Sequence, residues 1–364
     1  MKDGTTGQIL YQSTNPTQVA NNAIGNLTQG GNILFKAGTY TVSQTITWSQ
    51  RNNVELVFEE GAKLVAANGL NAPVVHPIGS NGLTIRNIEI DGNAAGQTAP
   101  AETSPHIDGI LITFGDNVLI DEAYIYNCKR DGIGAMGATN YLTIRNSIIT
   151  NCGWNGITAC GGVSVSSVIE KNEISHVSDV GITIYGANYV VNNNWVHDLD
   201  GVQNTRARWG IAVEDPYDGP NTIRNNLIER CSWGIVLAFD QSVGISDPGG
   251  EGHHTITYNT INYCQCGVVV ATVEANTISY NTITNWNVNG GDGGGITLWS
   301  SRNVVEGNTL IITDGRITKG GVWIWNSLPP VGNIIRNNDF TLCTNPKILD
   351  QGIGTIISGN VGYP

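Results

Sequence analysis

The sequence predicts an all-β fold, a single-stranded right-handed parallel β-helix of about a dozen coils with an N-terminal capping helix. Three observations predict it. "TITYNTI" at Thr255–Ile261 returns as "TISYNTI" at Thr277–Ile283, an offset of 277 − 255 = 22. An Asn followed two residues later by an apolar residue recurs at Asn146, Asn172, Asn194, Asn226, Asn259, Asn281, Asn308, Asn338 and Asn360, in steps of 22 or more. Between these lies a second marker, Gly–aliphatic–any–aliphatic, at Gly109, Gly132, Gly156, Gly181, Gly210, Gly234, Gly267, Gly295 and Gly321. A fixed period with longer steps fits one structural unit with loop insertions.

Each unit carries about three short runs of β-branched or alternating apolar residues, broken by Gly, Asn and Asp. Three strands per unit make one coil. Coils pair at about 4.8 Å, so a dozen give a rod on the order of 55–60 Å. Equivalent residues then stack, and the Asn residues are expected as one buried ladder bonded along the axis. Residues Thr17–Leu27, "TQVANNAIGNL", are the one plausible helix, placed to cover the open end of the core before the strand run "NILFKAGTYTV". The unbroken repeat argues for a single domain over 1–364, with 1–30 as cap segment and 31–360 as coils.

Composition narrows the function. Charged residues are 13% of the chain and the net charge is 18 − 30 = −12. That disfavours nucleic acid and anionic membranes as partners and weakly suits cations. No apolar run reaches the length of a membrane span, and no signal peptide is visible. Seven Cys show no metal spacing. Cys128 and Cys152 stand at equivalent positions on adjacent coils, as do Cys231 and Cys264, which reads as small buried thiols close enough to oxidise.

Strand parity points to a site. After each marker Gly the first and third residues face inward, and the second and fourth face out. The outward set holds Thr158, Thr183, Tyr185, Glu214, Thr297, Trp299, Trp323 and Trp325. Indole faces stack on sugar rings, so an aromatic strip along a rod fits a chain-like glycan. The coil from Asn194 to Asn226 has ten residues beyond the unit and the next has eleven. These insertions wall both edges of one face and gather Arg206, Arg208, Glu214, Asp215, Asp218, Asp240, Glu251, His253 and His254. An acid, a base and an arginine beside a glycan groove are what glycosidic cleavage needs. Glu214, Asp215 and Arg208 are therefore the favoured catalytic candidates. Tyr185, Trp299, Trp323, Trp325, Trp233, Asp240, His254 and Lys319 are the candidate substrate contacts. Asp108 and Asp131, each just before a marker Gly, form a second carboxylate pair on neighbouring coils. Ordinary Asp-Gly turn chemistry also accounts for them. The acidic "EDPYDGP" loop offers oxygen ligands for Ca²⁺.

The chain resembles the pectin-lyase-like superfamily of right-handed β-helices from "GGNILFKAGTYTV" to the last Asn coil. "IDGN" at 90–93 followed by "HIDGI" is similar to the entry region of its polysaccharide lyases, hydrolases and epimerases. Against the polygalacturonase-like pattern, "HIDG", "KRDG" and "WNG" match at Asp108 and Asp131, while Arg130 and Asn155 stand where that family has Asp and His. The nearest counterpart of the mannuronan-epimerase strand, "DGIGAM", lacks its Asp and His. The resemblance implies a secreted or cell-surface enzyme acting on a polysaccharide or oligosaccharide, with a hydrolase slightly favoured over a lyase. The alternative is a non-catalytic glycan-binding or adhesin β-helix.

Overall fold

The computed structural model describes residues 2–100, 106–137, 139–160, 166–199, 208–214, 219–238, 252–288, 293–315, 319–325, 329–343 and 346–363. The strands fall into three parallel sheets that run the length of the molecule. The first runs from Gly31–Phe35 to Ile356–Ser358, the second from Gly38–Val42 to Thr309–Ile311, and the third from Ile46–Ser49 to Ile348–Asp350. Successive coils contribute one strand to each sheet. The 22-residue echo is this pairing: Thr255 lies beside Thr277, Ile256 beside Ile278, and Ile261 beside Ile283. The isoleucines face inward and are at most 1% exposed.

Marker glycines sit where consecutive coils come closest. A Cβ on Gly210 would lie 2.5 Å from the Gly234 carbonyl oxygen and 2.6 Å from Ile228 Cγ2. Any side chain there would prise two coils apart.

The Asn ladder begins one coil later than expected. From Asn172 through Asn194, Asn226, Asn259, Asn281, Asn308 and Asn338 to Asn360, each backbone N–H donates to the side-chain oxygen of the next rung, at 2.9–3.0 Å. In the coil before, the rung is Ser147, whose N–H donates to Asn172 Oδ1 at 3.0 Å. Asn146 stands outside the ladder at φ 52 and donates to Asp121 Oδ1 at 2.8 Å. Two neighbouring positions both favour Asn, one for its amide and one because Asn tolerates the left-handed conformation. "RNSI" carries only the second kind. Asn193, Asn225 and Asn337 occupy the same left-handed position in later coils.

A second ladder lies where the chain enters the first sheet. Tyr189 N–H donates to Asn221 Oδ1, Asn221 N–H to His254 Nδ1, and His254 N–H to Asn276 Oδ1, at 2.8, 3.0 and 3.0 Å. Asn303 and Asn333 continue it.

Among the described residues one α-helix is present, Pro16–Asn26, with Asn15 as its N-cap. Asn15 Oδ1 accepts the N–H groups of Thr17 and Gln18. Ala20 and Ile24 reach into the main core, so the helix closes the N-terminal end as expected. The seven cysteines are free thiols, and Cys128, Cys152, Cys231 and Cys264 are buried.

Candidate functional site

The outer face of the third sheet carries the candidate residues in rows parallel to the helix axis. Parity holds there: the first and third residues after each marker Gly are core, as in Ile211 and Val213, while Ala212 and Glu214 face away. Cys160, Tyr185 and Glu214 are register partners on three successive strands. Tyr185 Oη donates to Glu214 Oε2 at 2.6 Å. Tyr185 is half-buried and Glu214 is 8% exposed. The phenol is one constraint on the orientation of that carboxylate.

Arg208 does not join this pair. It precedes the strand Trp209–Glu214 and so lies at its far end. Six residues of strand put Arg208 and Glu214 about 20 Å apart. Lys319, exposed, precedes Gly320–Ile324 and falls on the same edge as Arg208. His254 is also elsewhere: the turn that was expected to bring it to the loops folds it into the second ladder, where it is 0% exposed. A ring whose Nδ1 accepts a backbone N–H inside the wall is not a surface contact. His253 is the exposed member of that pair. Asp215, Asp218, Asp240, Glu251 and Arg206 lie outside the described residues, and with Asp215 and Asp218 the proposed Ca²⁺ loop. Among the described residues no group of three or more His, Cys, Asp or Glu is placed to hold a metal.

Asp108 and Asp131 occupy the Arg208 edge of the sheet, several coils towards the N-terminus. They are rungs of a third ladder: Asp131 N–H donates to Asp108 Oδ1 at 3.2 Å, Asn155 N–H to Asp131 Oδ1 at 3.1 Å, and Val180 N–H to Asn155 Oδ1 at 3.0 Å. Both carboxylates are enclosed, at 2% and 0% exposure. Arg130 Nη1 bridges them, 3.6 Å from Asp108 Oδ1 and 3.3 Å from Asp131 Oδ2. It also touches His106 Nδ1, and its guanidinium lies over the Trp154 ring at 5.3 Å. Thr158 Oγ1 donates to Asp131 Oδ2 at 2.8 Å. Among the described residues Asp108 Oδ2 has no hydrogen-bond partner. Burial, and then the Asp131 charge, hold the Asp108 carboxyl well above the usual carboxylate range. Burial raises Asp131 too, against the pull of Arg130. One arginine faces two buried carboxylates, so ionising both is disfavoured and the pair titrates as a coupled unit, with Asp108 the more strongly raised. Burial and Arg130 together push His106 down to about 4, so its ring is neutral.

The tryptophans divide by exposure. Trp209, which the sequence reading passed over, stacks on Trp233 at 5.4 Å and 6°. Its signal was available, since each precedes a marker Gly. Trp299 meets Trp233 edge-on at 6.0 Å. With Val180, Ala212, Val236, Cys266 and Val269 these rings form a small second core on the outer face. Trp323 is 9% exposed and stacks on Trp325, which is 43% exposed. Trp325 alone among these presents a broad open ring.

Comparisons agree with this architecture. Residues 74–247 match the family described as "Right handed beta helix region". Residues 190–361 match the family described as "Periplasmic copper-binding protein (NosD)". No curated protein sequence matches. Among solved structures, the A-module of a mannuronan C-5 epimerase from Azotobacter vinelandii is 16% identical, with 99% of this chain and 98% of that one covered and a TM-score of 0.64. DFA-IIIase from Arthrobacter chlorophenolicus A6 is 12% identical over 94% of each chain, TM-score 0.64. A surface adhesin of Streptococcus pneumoniae is 14% identical over 99% of this chain and 92% of that one, TM-score 0.58. At such identities the likeness is one of fold. The chain therefore has the right-handed parallel β-helix fold, and its residues 74–247 resemble the repeat family of that fold.

Proposed function

We propose that the protein is a carbohydrate-active enzyme that cleaves glycosidic bonds on the outer face of the third sheet, with Glu214 as acid–base group and Tyr185 as its positioning partner. The observation that carries this reading is the 2.6 Å bond between Tyr185 Oη and Glu214 Oε2 on that face. In hydrolysis the carboxylate takes a proton from the attacking water, whose oxygen joins the anomeric carbon, while a second acid returns a proton to the departing sugar oxygen. Asp215, next along the chain, is the proposed second acid. Asp108 and Asp131 are three or more coils from Glu214, about 14 Å or further along the axis. That is too far for either to complete a pair with Glu214, since the two carboxyls of a glycosidase stand within roughly 10 Å. Their ladder bonds give each Oδ1 a structural role, and the pair is kept as the reserve centre.

Further support comes from relatives of the fold that carry carbohydrate-acting names, the mannuronan C-5 epimerase and DFA-IIIase. The match to a family described as periplasmic supports a location outside the cytoplasm.

A panel of polysaccharides, scored for new reducing ends and for absorbance near 235 nm, tests the activity and separates hydrolysis from elimination. On a cleaved glycan, Glu214→Gln is expected to lose about 10²–10⁴-fold in rate. Tyr185→Phe should lose less and shift the pH profile. If Glu214→Gln keeps its rate while folded Asp131→Asn is dead, the centre is the buried pair instead. If glycans bind but none is cleaved, the protein is a binding module.

A further inference from the structure

The turn from the first sheet into the second repeats one backbone state. Arg224, Thr257, Ser279, Glu306 and Arg336 are register partners on successive strands. The residues after them, Asn225, Tyr258, Tyr280, Gly307 and Asn337, therefore fall in one line, and all stand at φ between 53 and 66. Asn and Gly enter that left-handed state at small cost, whereas a bulky side chain does not. Two consecutive coils nevertheless carry Tyr there.

The two rings are stacked, with centroids 5.3 Å apart at 12°, and Tyr258 and Tyr280 are 59% and 51% exposed. The step of the stack is close to the coil spacing of about 4.8 Å, so it runs along the axis. At its far end Tyr280 leans onto Gly307, where a Cβ would lie 2.6 Å from Tyr280 Cε1. At its near end stands Asn225, whose Nδ2 turns aside to Asn192 Oδ1 at 3.0 Å. The outer face of the Tyr258 ring is left open above it.

Arg224 lies beside that opening. Its row on the first sheet holds three other arginines, linked to it strand by strand. Each of the three is paired: Arg86 with Glu55 and Asp121, Arg145 with Asp121, and Arg336 with Glu306. Arg224 has Asn192 and Thr257 as its register partners instead. Its side chain is exposed and, among the described residues, has no hydrogen bond or ion pair. That is unusual company for a guanidinium in a chain with 30 acidic and 18 basic residues.

We propose that Arg224, Tyr258 and Tyr280 form a binding site for a six-membered ring that carries a carboxylate. The ring continues the stack on the open face of Tyr258, and the carboxylate takes the Arg224 guanidinium. A sugar acid and an aromatic acid share this chemistry. The strain of two left-handed tyrosines is then tied to the platform they present. The site lies at the turn between the first and second sheets, off the third-sheet face that carries Glu214, and does not depend on the role of Glu214.

The test is a set of ligand-observed NMR titrations of the whole protein. The probes are methyl glucuronide, methyl galacturonide and 4-hydroxybenzoate, each beside its uncharged counterpart, methyl glucoside, methyl galactoside and 4-hydroxybenzyl alcohol. At least one acid should bind about tenfold tighter than its neutral ring, and less tightly as salt is added. Which acid binds identifies the source. Arg224→Gln should abolish the preference for the acid and leave the melting temperature unchanged, because it breaks no hydrogen bond or ion pair among the described residues. Tyr258→Asn installs the residue that Asn193, Asn225 and Asn337 carry at the same φ. It should stay folded and lose about tenfold in affinity for the acid. Equal binding of acid and neutral ring, acid binding that survives both substitutions, or no binding of any of the three acids overturns the site.

Discussion

Asp108 shows how one residue can be structurally sound and electrostatically costly. Its Oδ1 accepts a backbone N–H as an Asn rung would, while its Oδ2 is buried without a hydrogen-bond partner among the described residues. Asp131, Arg130, His106 and Thr158 pack around the pair, and Cys128 and Asp179 act on it from neighbouring positions. The folded state holds the Asp108 proton more tightly than the unfolded chain does. Such a group's stabilisation is complete below the unfolded carboxylate value and is lost as pH climbs through the folded one. Asp108→Asn should remove that loss, because the amide keeps the ladder oxygen and cannot ionise. Melting temperatures from pH 4 to 8 are expected to fall less for Asp108→Asn than for wild type. Parallel curves for the two proteins would show that Asp108 does not hold the proton. His106 adds an effect of opposite sign, confined to acid, because its depressed value means stability is lost as pH drops towards about 4.

Among the elements, the ladders and turns separate residues that look alike in sequence. Asn259 is a rung with both its amide groups engaged: Nδ2 donates to Ile223 O and Asn281 Oδ1, and Oδ1 accepts from Asn226. Asn259→Ala would leave buried backbone groups unpaired, at a cost of roughly 1–3 kcal/mol each. Asn146 is exposed at a turn and its side chain makes one bond, to Asp121. Its replacement by Gly, which tolerates the same φ, should cost under about 1 kcal/mol. Urea midpoints of the two variants test the distinction, and equal losses would mean that the rung and the turn position have been confused. His254 belongs to the same comparison. His254→Asn should be nearly neutral, since Asn is what the ladder carries on both sides.

At the scale of the whole molecule, stability passes from coil to coil, and the ends are the weak points. Ile24 of the helix is 0% exposed and packs into the main core. Ile24→Asp would place a charge over the first coil and expose its edge. Size-exclusion chromatography should then show association or aggregation through that end, whereas a monomer of unchanged melting temperature would mean the helix is not a cap. Among the described residues no helix is long and apolar enough to cross a membrane.

The repeat determined the fold from sequence alone. Side chains that recur every coil must stack, and a strict inward–outward alternation leaves one arrangement that buries the isoleucines. Parity was likewise sufficient to place Tyr185, Glu214, Trp299, Trp323 and Trp325 on one outer face. Periodicity does not carry distance across a coil. Arg208 and Glu214, six residues apart, lie at opposite ends of an extended strand, and only the folded sheet shows it. Nor does residue type reveal which of two adjacent Asn sites bears an amide ladder, or that a His next to a loop has been taken into the wall. The burial of Trp209 and Trp323, the half-burial of Trp233, the openness of Trp325, and the enclosure of Asp108 and Asp131 around Arg130 were also settled only in three dimensions. Each depends on what packs above the sheet, contacts between residues far apart in the chain that no local pattern records.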